Sequence, residues 1–145
     1  MTSDDSAENR IAVEEANTEF YRALESGKLE RMESVWAHDE WVRCIHPGWA
    51  MISGWLRVRD SWERIFESGQ KMRASPTDVS VLKIGDLAWV TCTENITVFS
   101  EESFDTARAA ATNLFVERAG RWLMVHHHAS AIPMIVSEDS TDTIQ

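Results

Sequence analysis

The chain has 145 residues, a length typical of one domain that buries a core without disulfides or metal ions. Its formal net charge of −10 argues against a nucleic-acid-binding protein, because such proteins need a basic face. It has no apolar run of the roughly 20 residues that a membrane helix requires, and its acidic start is unlike a signal peptide. Cys44 and Cys92 lie in apolar runs without metal-type spacing. We therefore predict a cytoplasmic protein with buried free thiols that binds neither nucleic acid nor membranes.

The first half of the chain predicts three helices. Apolar residues recur at helical spacing in the first helix, which is expected to end at Gly27. A short second helix is predicted over residues 29–36, followed by a strand over 41–45. The third helix is expected between Gly54 and Gly69.

The second half predicts an antiparallel sheet. Strands are expected over residues 77–83, 87–99, about 107–118 and 121 to about 131, and Pro133 ends the last of them. Helices followed by a run of strands indicate an α+β domain with the helices on one face of the sheet. We predict a flexible N terminus over residues 1–8, a single domain over 9–133 and an acidic, flexible tail over 134–145.

The final hairpin turns at Ala119 and Gly120, and two loops are possible. A two-residue loop places Ala119 at positive φ, which is costly for a residue with a Cβ atom, and opposes Arg118 to Arg121. A three-residue loop places only Gly120 in the left-handed region and opposes Glu117 to Arg121, which is a favourable pair. We therefore predict the three-residue loop.

This register assigns side chains to the two faces of the sheet, because strand side chains alternate. One face is expected to carry Leu114, Val116, Trp122, Met124, His126 and His128. The face toward the helices is expected to carry Asn113, Phe115, Leu123, Val125, His127 and Ala129. Three consecutive histidines on one regular strand cannot all reach one metal ion.

His126 and His128 are the pair that can share a metal ion, together with a carboxylate such as Glu94. A third ligand at a readable spacing is lacking, so we predict no metal site and no cofactor. Their alternative role is structural or at a dimer face.

Several segments together resemble the nuclear transport factor 2-like superfamily in its SnoaL-like branch. They are the helical first half, Ile45-His-Pro-Gly, Gly54 before a Trp- and Phe-bearing helix, Gly85-Asp-Leu-Ala-Trp-Val and Gly120-Arg-Trp-Leu-Met-Val-His-His-His-Ala-Ser. The last segment also resembles the association domain of calcium/calmodulin-dependent protein kinase II. The resemblance covers roughly residues 11–133.

The resemblance implies a cone-shaped α+β roll, in which three helices pack on a strongly bent, mainly antiparallel sheet and enclose a pocket. It also implies a homodimer formed through the sheet. Positions that are cationic in the kinase association domain fall on Thr91, Asn113 and Ala129, none of which is basic. Ketosteroid isomerase and SnoaL-type cyclases use an Asp or Glu base in this fold, and the sequence does not place such a base in this chain.

Candidate site residues follow from the predicted pocket face. His127 and Asn113 are the catalytic candidates, since imidazole titrates near neutral pH and an amide can orient it. The candidates for ligand binding are His46, Trp55, Thr91, Thr93, Phe115, Val125 and Ala129. Each has a structural alternative: a hydrogen-bonded core histidine, a strand-forming threonine or an aromatic core residue.

Two functions remain open from the sequence. The first is a small soluble domain with a pocket for a small, largely apolar organic molecule, in which an isomerase-, cyclase- or hydrolase-type proton transfer is possible. The second is a non-enzymatic ligand-binding or association module. Whether the protein is an enzyme is not decided by these residues.

Overall fold

The computed structural model describes residues 3–133, with side chains from residue 7 onward, and the predicted tail over 134–145 lies outside them. The described helices are α1 (Ser3–Ser26), α2 (Leu29–Glu33) and α3 (Trp55–Glu67). The described strands are β1 (Arg43–Ile45), β2 (Ile52–Ser53), β3 (Lys71–Ile84), β4 (Leu87–Phe99), β5 (Phe104–Arg118) and β6 (Arg121–Ile132). The α+β prediction is confirmed.

Helix α1 packs along the sheet with one apolar face. Val13, Phe20 and Leu24 lie on that face and are buried, as their helical spacing predicts. The helix begins at Ser3 and so includes part of the segment predicted to be a flexible N terminus. Helix α1 ends before Gly27, where the backbone takes a positive φ of 69°. None of the described helices has the length and apolar character needed to span a membrane.

The six strands form one sheet in the order β2-β1-β6-β5-β4-β3. Neighbouring strands are antiparallel, except that β1 runs parallel to β6. Strand β3 starts at Lys71, earlier than predicted, and contains Pro76. A proline is tolerated there because β3 is an edge strand, where one side of the backbone needs no partner. The two-residue strand β2 was not predicted.

The predicted register of the final hairpin is wrong at the turn. Arg118 lies opposite Arg121, so the loop has two residues, and both Ala119 (φ 50°) and Gly120 (φ 79°) are left-handed. The twist of such a turn matches that of the strands. The two arginines avoid direct opposition because Arg118 pairs with Asp39, while Arg121 donates to the carbonyl of Ser34.

A bulge in β6 then restores the predicted phase. Phe115 lies opposite Met124 and Leu114 opposite His126, so Val125 is an extra residue in β6. Before the bulge, the predicted faces are reversed: Trp122 and Met124 face the helices and are buried, whereas Leu123 faces outward. In β5, the face predictions hold for Asn113 and Phe115 on the inner side. In β6 beyond the bulge, they hold for His127 and Ala129 on the inner side and for His126 and His128 on the outer side.

Candidate functional site

A hydrogen-bonded network of polar side chains lies inside the core, between α1 and strands β4 to β6. Asn113 is at its centre, and its side chain is fully buried. The Asn113 amide group donates to Asn17 Oδ1 (2.8 Å) and to the Tyr21 hydroxyl (3.2 Å). Its carbonyl oxygen accepts a hydrogen bond from His127 Nδ1 (2.6 Å). These bonds fix the tautomer of a neutral His127, with the proton on Nδ1 and a free lone pair on Nε2.

Glu94 is the buried carboxylic acid of this network. Tyr21 donates its hydroxyl proton to Glu94 Oε2 at 2.8 Å. The bonds therefore run in one direction, from the Asn113 amide through the Tyr21 hydroxyl to the Glu94 carboxyl group. Burial raises the pKa of Glu94 to about 7, although the Tyr21 hydrogen bond acts against this rise.

Glu94 and His127 face one another across 3.6 Å, measured from Oε2 to Nε2. Two acceptor lone pairs at this distance are unfavourable unless a proton lies between them. Burial, and then the neighbouring His46, lower the pKa of His127 well below its ordinary value. Together with the raised pKa of Glu94, this places the shared proton on the carboxyl group, which faces a neutral imidazole.

Aromatic rings cover this acid–imidazole pair. The ring centroid of Phe20 lies 4.7 Å from that of His127, and that of Trp62 lies 6.1 Å from it. The Trp62 indole N–H is buried without a hydrogen-bond partner among the described residues. An unpaired buried donor costs about 1–3 kcal/mol, so this N–H is suited to an oxygen atom of a bound molecule.

His46 extends the histidine cluster toward α3. Its ring lies 6.5 Å from that of His127 and edge-on to Trp62 at 4.6 Å. Ser61 donates to the backbone carbonyl of Val58 and accepts from His46 Nε2 at 2.9 Å. Burial lowers the pKa of His46 to about 4, so this ring is neutral at neutral pH.

Several predicted site residues lie near one another on the inner side of the sheet. His127 and Asn113, the catalytic candidates, are hydrogen-bonded to each other, and His46 lies beside them. Phe115 and Ala129 are buried on the same face. Val125, at the bulge, is also buried.

The structure does not bring the other predicted residues to this network. Thr91 and Thr93 lie on the outer face, since the inner positions of β4 are Val90, Cys92 and Glu94. The prediction that these threonines face the pocket is therefore wrong. Trp55 packs elsewhere, with its ring stacked on His38 at 4.3 Å and tilted against Trp36 at 6.1 Å.

Glu94, Tyr21 and Asn17 were missed as site residues. Glu94 was considered as a metal ligand beside His126 and His128, but it lies on the opposite face of the sheet from them. Its position could have been found from the alternation of side chains in β4. Ala88, Val90 and Cys92 occupy every second position and are buried, and Glu94 is the next residue in that series. Asn17 and Tyr21 share the buried face of α1, because they follow Val13 at intervals of four residues.

The network suits acid–base chemistry better than metal binding. Among the described residues, no group of three or more His, Cys, Asp or Glu side chains is arranged to hold a metal ion. The pair instead combines a carboxylic acid that titrates near neutral pH with a neutral imidazole whose lone pair is available. Such a pair can give one proton and take another in the same step.

Comparison with known proteins identifies similar chains. A family model described as SnoaL-like domain matches residues 13–135. The F-box protein SKIP8 of Arabidopsis thaliana is 32% identical over 121 residues, which make up 83% of this chain and 50% of that protein. This chain therefore spans about half the length of the curated relative that it matches.

Two solved structures are similar in both sequence and fold. One is a candidate dehydratase of the NTF2-like family from Streptomyces avermitilis, with 34% identity and a TM-score of 0.79 over 85% of this chain and 96% of that one. The other is a candidate calcium/calmodulin-dependent protein kinase type II association domain from Thiobacillus denitrificans. It has 32% identity and a TM-score of 0.74 over 83% of this chain and 94% of that one.

Proposed function

This chain belongs to the SnoaL-like domain family, and we propose that it is an enzyme that transfers protons on a small, largely apolar organic molecule. The observation that carries the proposal is the buried pair of Glu94 and His127, with 3.6 Å between Oε2 and Nε2. A carboxylic acid with a pKa of about 7 is well matched to proton transfer at neutral pH. The covering aromatic rings provide apolar surface for the body of the substrate.

The reaction that best uses both groups is the loss of water from a hydroxylated carbonyl compound. The lone pair of His127 Nε2 takes the proton from the carbon next to the carbonyl group, and a carbon–carbon double bond forms. The protonated Glu94 gives its proton to the departing hydroxyl group, which leaves as water. The proton on Nε2 then returns to the Glu94 carboxylate and restores the pair.

Three other residues support this chemistry. Asn113 holds the Nδ1–H bond of His127 and thereby keeps Nε2 as the unprotonated nitrogen that can accept a proton. Tyr21 orients the Glu94 carboxyl group. The unpaired Trp62 N–H can bind the carbonyl oxygen of the substrate, where negative charge develops. Phe20 and Trp62 cover the pair, so we propose that these rings move aside when substrate binds.

The similarity to a candidate dehydratase favours water loss over the other proton-transfer reactions of this fold. Two buried free cysteines, Cys44 and Cys92, support a reducing cytoplasmic compartment.

The test is a dehydration assay on a panel of aryl β-hydroxy ketones, followed by the ultraviolet absorbance of the conjugated product. Glu94→Gln keeps the size of the side chain and removes the transferable proton, so kcat should fall by about 10²–10⁴. Glu14→Gln is the matched control, because Glu14 is an exposed glutamate on α1. Equal turnover in the wild type and in Glu94→Gln would contradict the proposal.

A second candidate function is an association module that uses the outer face of the sheet. Leu82, Ile84 and Trp89 are large apolar residues that are exposed there. They adjoin further apolar residues of the same face, namely Leu87, Leu114, Val116 and Leu123. We name these seven residues the outer apolar patch. Its size and the similarity to a kinase association domain support a homodimer formed through the sheet.

A further inference from the structure

A separate cleft lies on the surface between the β1–β2 connection and α3, and we name it the lateral cleft. It has a volume of about 350 Å³, within the range of small-molecule sites. Trp49, Arg57, Asp60, Ser61 and Arg64 line it, together with apolar residues of the segment before α3. Trp49 is partly exposed, which makes its indole ring an available wall for an apolar ligand.

The charge of the lateral cleft is opposite to that of the chain as a whole. The protein has a net charge of −10, yet two arginines and one aspartate line this cleft and give it one net positive charge. Among the described residues, neither Arg57 nor Arg64 forms an ion pair. Asp60 lies 3.9 Å from Arg59 on its own helix. Both lining guanidinium groups are therefore available to an anionic ligand.

Arg64 and Trp49 already form a combined polar and aromatic surface. The guanidinium carbon of Arg64 lies 5.7 Å from the centre of the Trp49 ring. A guanidinium group held over an indole ring binds a carboxylate at its edge, while the ring contacts the apolar body of the same molecule. A single net positive charge favours a monoanion over a phosphate dianion.

The lateral cleft also connects to the buried network. Ser61 lines the cleft and is hydrogen-bonded to His46 Nε2 at 2.9 Å. Trp49, on the opposite wall, packs edge-on against the His46 ring at 4.8 Å. His46 in turn neighbours His127, with 6.5 Å between ring centroids. A ligand in the cleft therefore lies one side chain away from the proposed reacting groups.

We propose that the lateral cleft binds the carboxylate of a small monocarboxylic acid with an aromatic or aliphatic body, and so selects the substrate of the proposed enzyme. This inference rests on the proposed function, but binding can be measured without turnover. Arg57 and Arg64 hold the carboxylate, and Trp49 contacts the body. Among hydroxylated carbonyl compounds, those that carry one free carboxylate group would thus be preferred over neutral ones.

The test is isothermal titration calorimetry with phenylacetate on the full chain. We expect binding that weakens at least tenfold in Arg64→Gln and in Arg57→Gln. Arg22→Gln is the matched control, since Arg22 is an exposed arginine on α1 away from the cleft, and it should bind as the wild type does. Benzyl alcohol, which lacks the charge, and phenyl phosphate, which is a dianion, should each bind at least tenfold more weakly than phenylacetate.

Two outcomes would overturn the inference: absence of phenylacetate binding by the wild type, or binding that Arg57→Gln and Arg64→Gln leave unchanged. Tighter binding of phenyl phosphate would overturn the assignment to carboxylates. Glu94→Gln separates this inference from the proposed function, because it should remove turnover and leave phenylacetate binding intact. If phenylacetate binding is lost in Glu94→Gln but kept in the arginine variants, the ligand binds in the interior and the cleft is not its site.

Discussion

At the scale of single residues, Asn113 decides the arrangement of the network. It uses both amide protons and its carbonyl oxygen inside the core, on Asn17, Tyr21 and His127. Each partner is itself buried, so each has no water to replace a lost bond. The side chain therefore acts as a positioning group for the acid–imidazole pair and as a structural requirement of the fold.

We predict that Asn113→Leu destabilises the protein by about 3 kcal/mol, because it leaves several buried polar groups without a partner while filling a similar volume. Urea unfolding followed by circular dichroism measures this. Asn95→Ala is the control, since the Asn95 amide bonds to Ser75 and Thr77 at the surface and its loss should cost under about 1 kcal/mol. If the two variants lost equal unfolding free energy, the buried network would stabilise the protein no more than surface hydrogen bonds do.

Glu94 also makes the stability of the protein depend on pH. Its pKa rises from 4.5 to about 7 on folding, so the folded state holds this proton more tightly than the unfolded state. Its contribution to stability is therefore fully present below pH 4.5 and is lost as the pH rises through 7. His46 acts in the opposite direction, because burial lowers its pKa to about 4 and stability is lost as the pH falls below 6.5.

We predict that Glu94→Gln removes the contribution of the Glu94 carboxyl group to the pH dependence of stability and keeps the contribution of His46. When the pH is raised from about 4.5 to about 8, the loss of the carboxylate contribution should lower the unfolding free energy of the wild type by about 3 kcal/mol relative to that of the variant. Unfolding curves in urea at the two pH values measure the difference. Glu14→Gln should leave the difference between the two pH values as in the wild type. A Glu94→Gln profile parallel to that of the wild type would rule out a raised pKa.

Sequence patterns located part of this site. The alternation of residues in β5 and β6 placed Asn113 and His127 on one inner face, which the structure bears out. The same alternation in β4 was not followed as far as Glu94, where a charged residue interrupts an apolar row. Hydrogen bonds between α1 and the sheet join residues more than 70 positions apart, and local periodicity contains no information about them.

At the scale of elements, the β5–β6 hairpin combines a strained turn with a compensating bulge. Ala119 has a φ of 50°, although an alanine loses about 1–2 kcal/mol in the left-handed region. The turn shifts the register by one step relative to the three-residue loop, and the extra residue Val125 shifts it by a second step in the same direction. Side chains beyond the bulge therefore face as predicted, although their partners differ by two residues. As a result, Trp122 and His127 both face the helices, although they are five positions apart and would lie on opposite faces of a regular strand.

We predict that Ala119→Asn stabilises the protein by about 0.5–1 kcal/mol, because asparagine tolerates the left-handed conformation and Asn-Gly is a preferred pair for this turn. The midpoint of thermal unfolding should rise accordingly. Gly120→Ala is the opposed variant and should destabilise, since it adds a Cβ atom at a φ of 79°. A lower midpoint for Ala119→Asn would contradict the two-residue turn.

The fold class could be predicted from the sequence, whereas the register of the final hairpin could not, because the two depend on different kinds of signal. The apolar periodicity of α1 and α3 and the turn glycines are local signals, and they gave the α+β architecture. In the choice between two hairpin loops, an unfavourable φ and an unfavourable charge pair both counted against the two-residue loop. Asp39 and Ser34, distant in sequence, provide partners for the two arginines and so decide that choice.

At the scale of the whole molecule, the two faces of the sheet differ in chemical character. Its inner face holds the acid–imidazole pair under the helices, while its outer face carries the outer apolar patch. The sequence placed Trp122 and Met124 on the outer face, and the two-residue turn places them inside. The residue that tests association through the sheet is therefore Trp89, which is about half exposed on the outer face.

We predict that Trp89→Glu gives a folded monomer and that Trp122→Glu gives an unfolded chain. A charge on Trp89 repels a partner subunit without entering the core, whereas a charge at Trp122 replaces a buried side chain of the hydrophobic core. Sedimentation velocity measures the assembly, and far-ultraviolet circular dichroism measures the fold. Wild-type protein should sediment as a dimer. A dimeric Trp89→Glu would exclude the outer apolar patch as the interface, and a folded Trp122→Glu would contradict the inward position of that side chain.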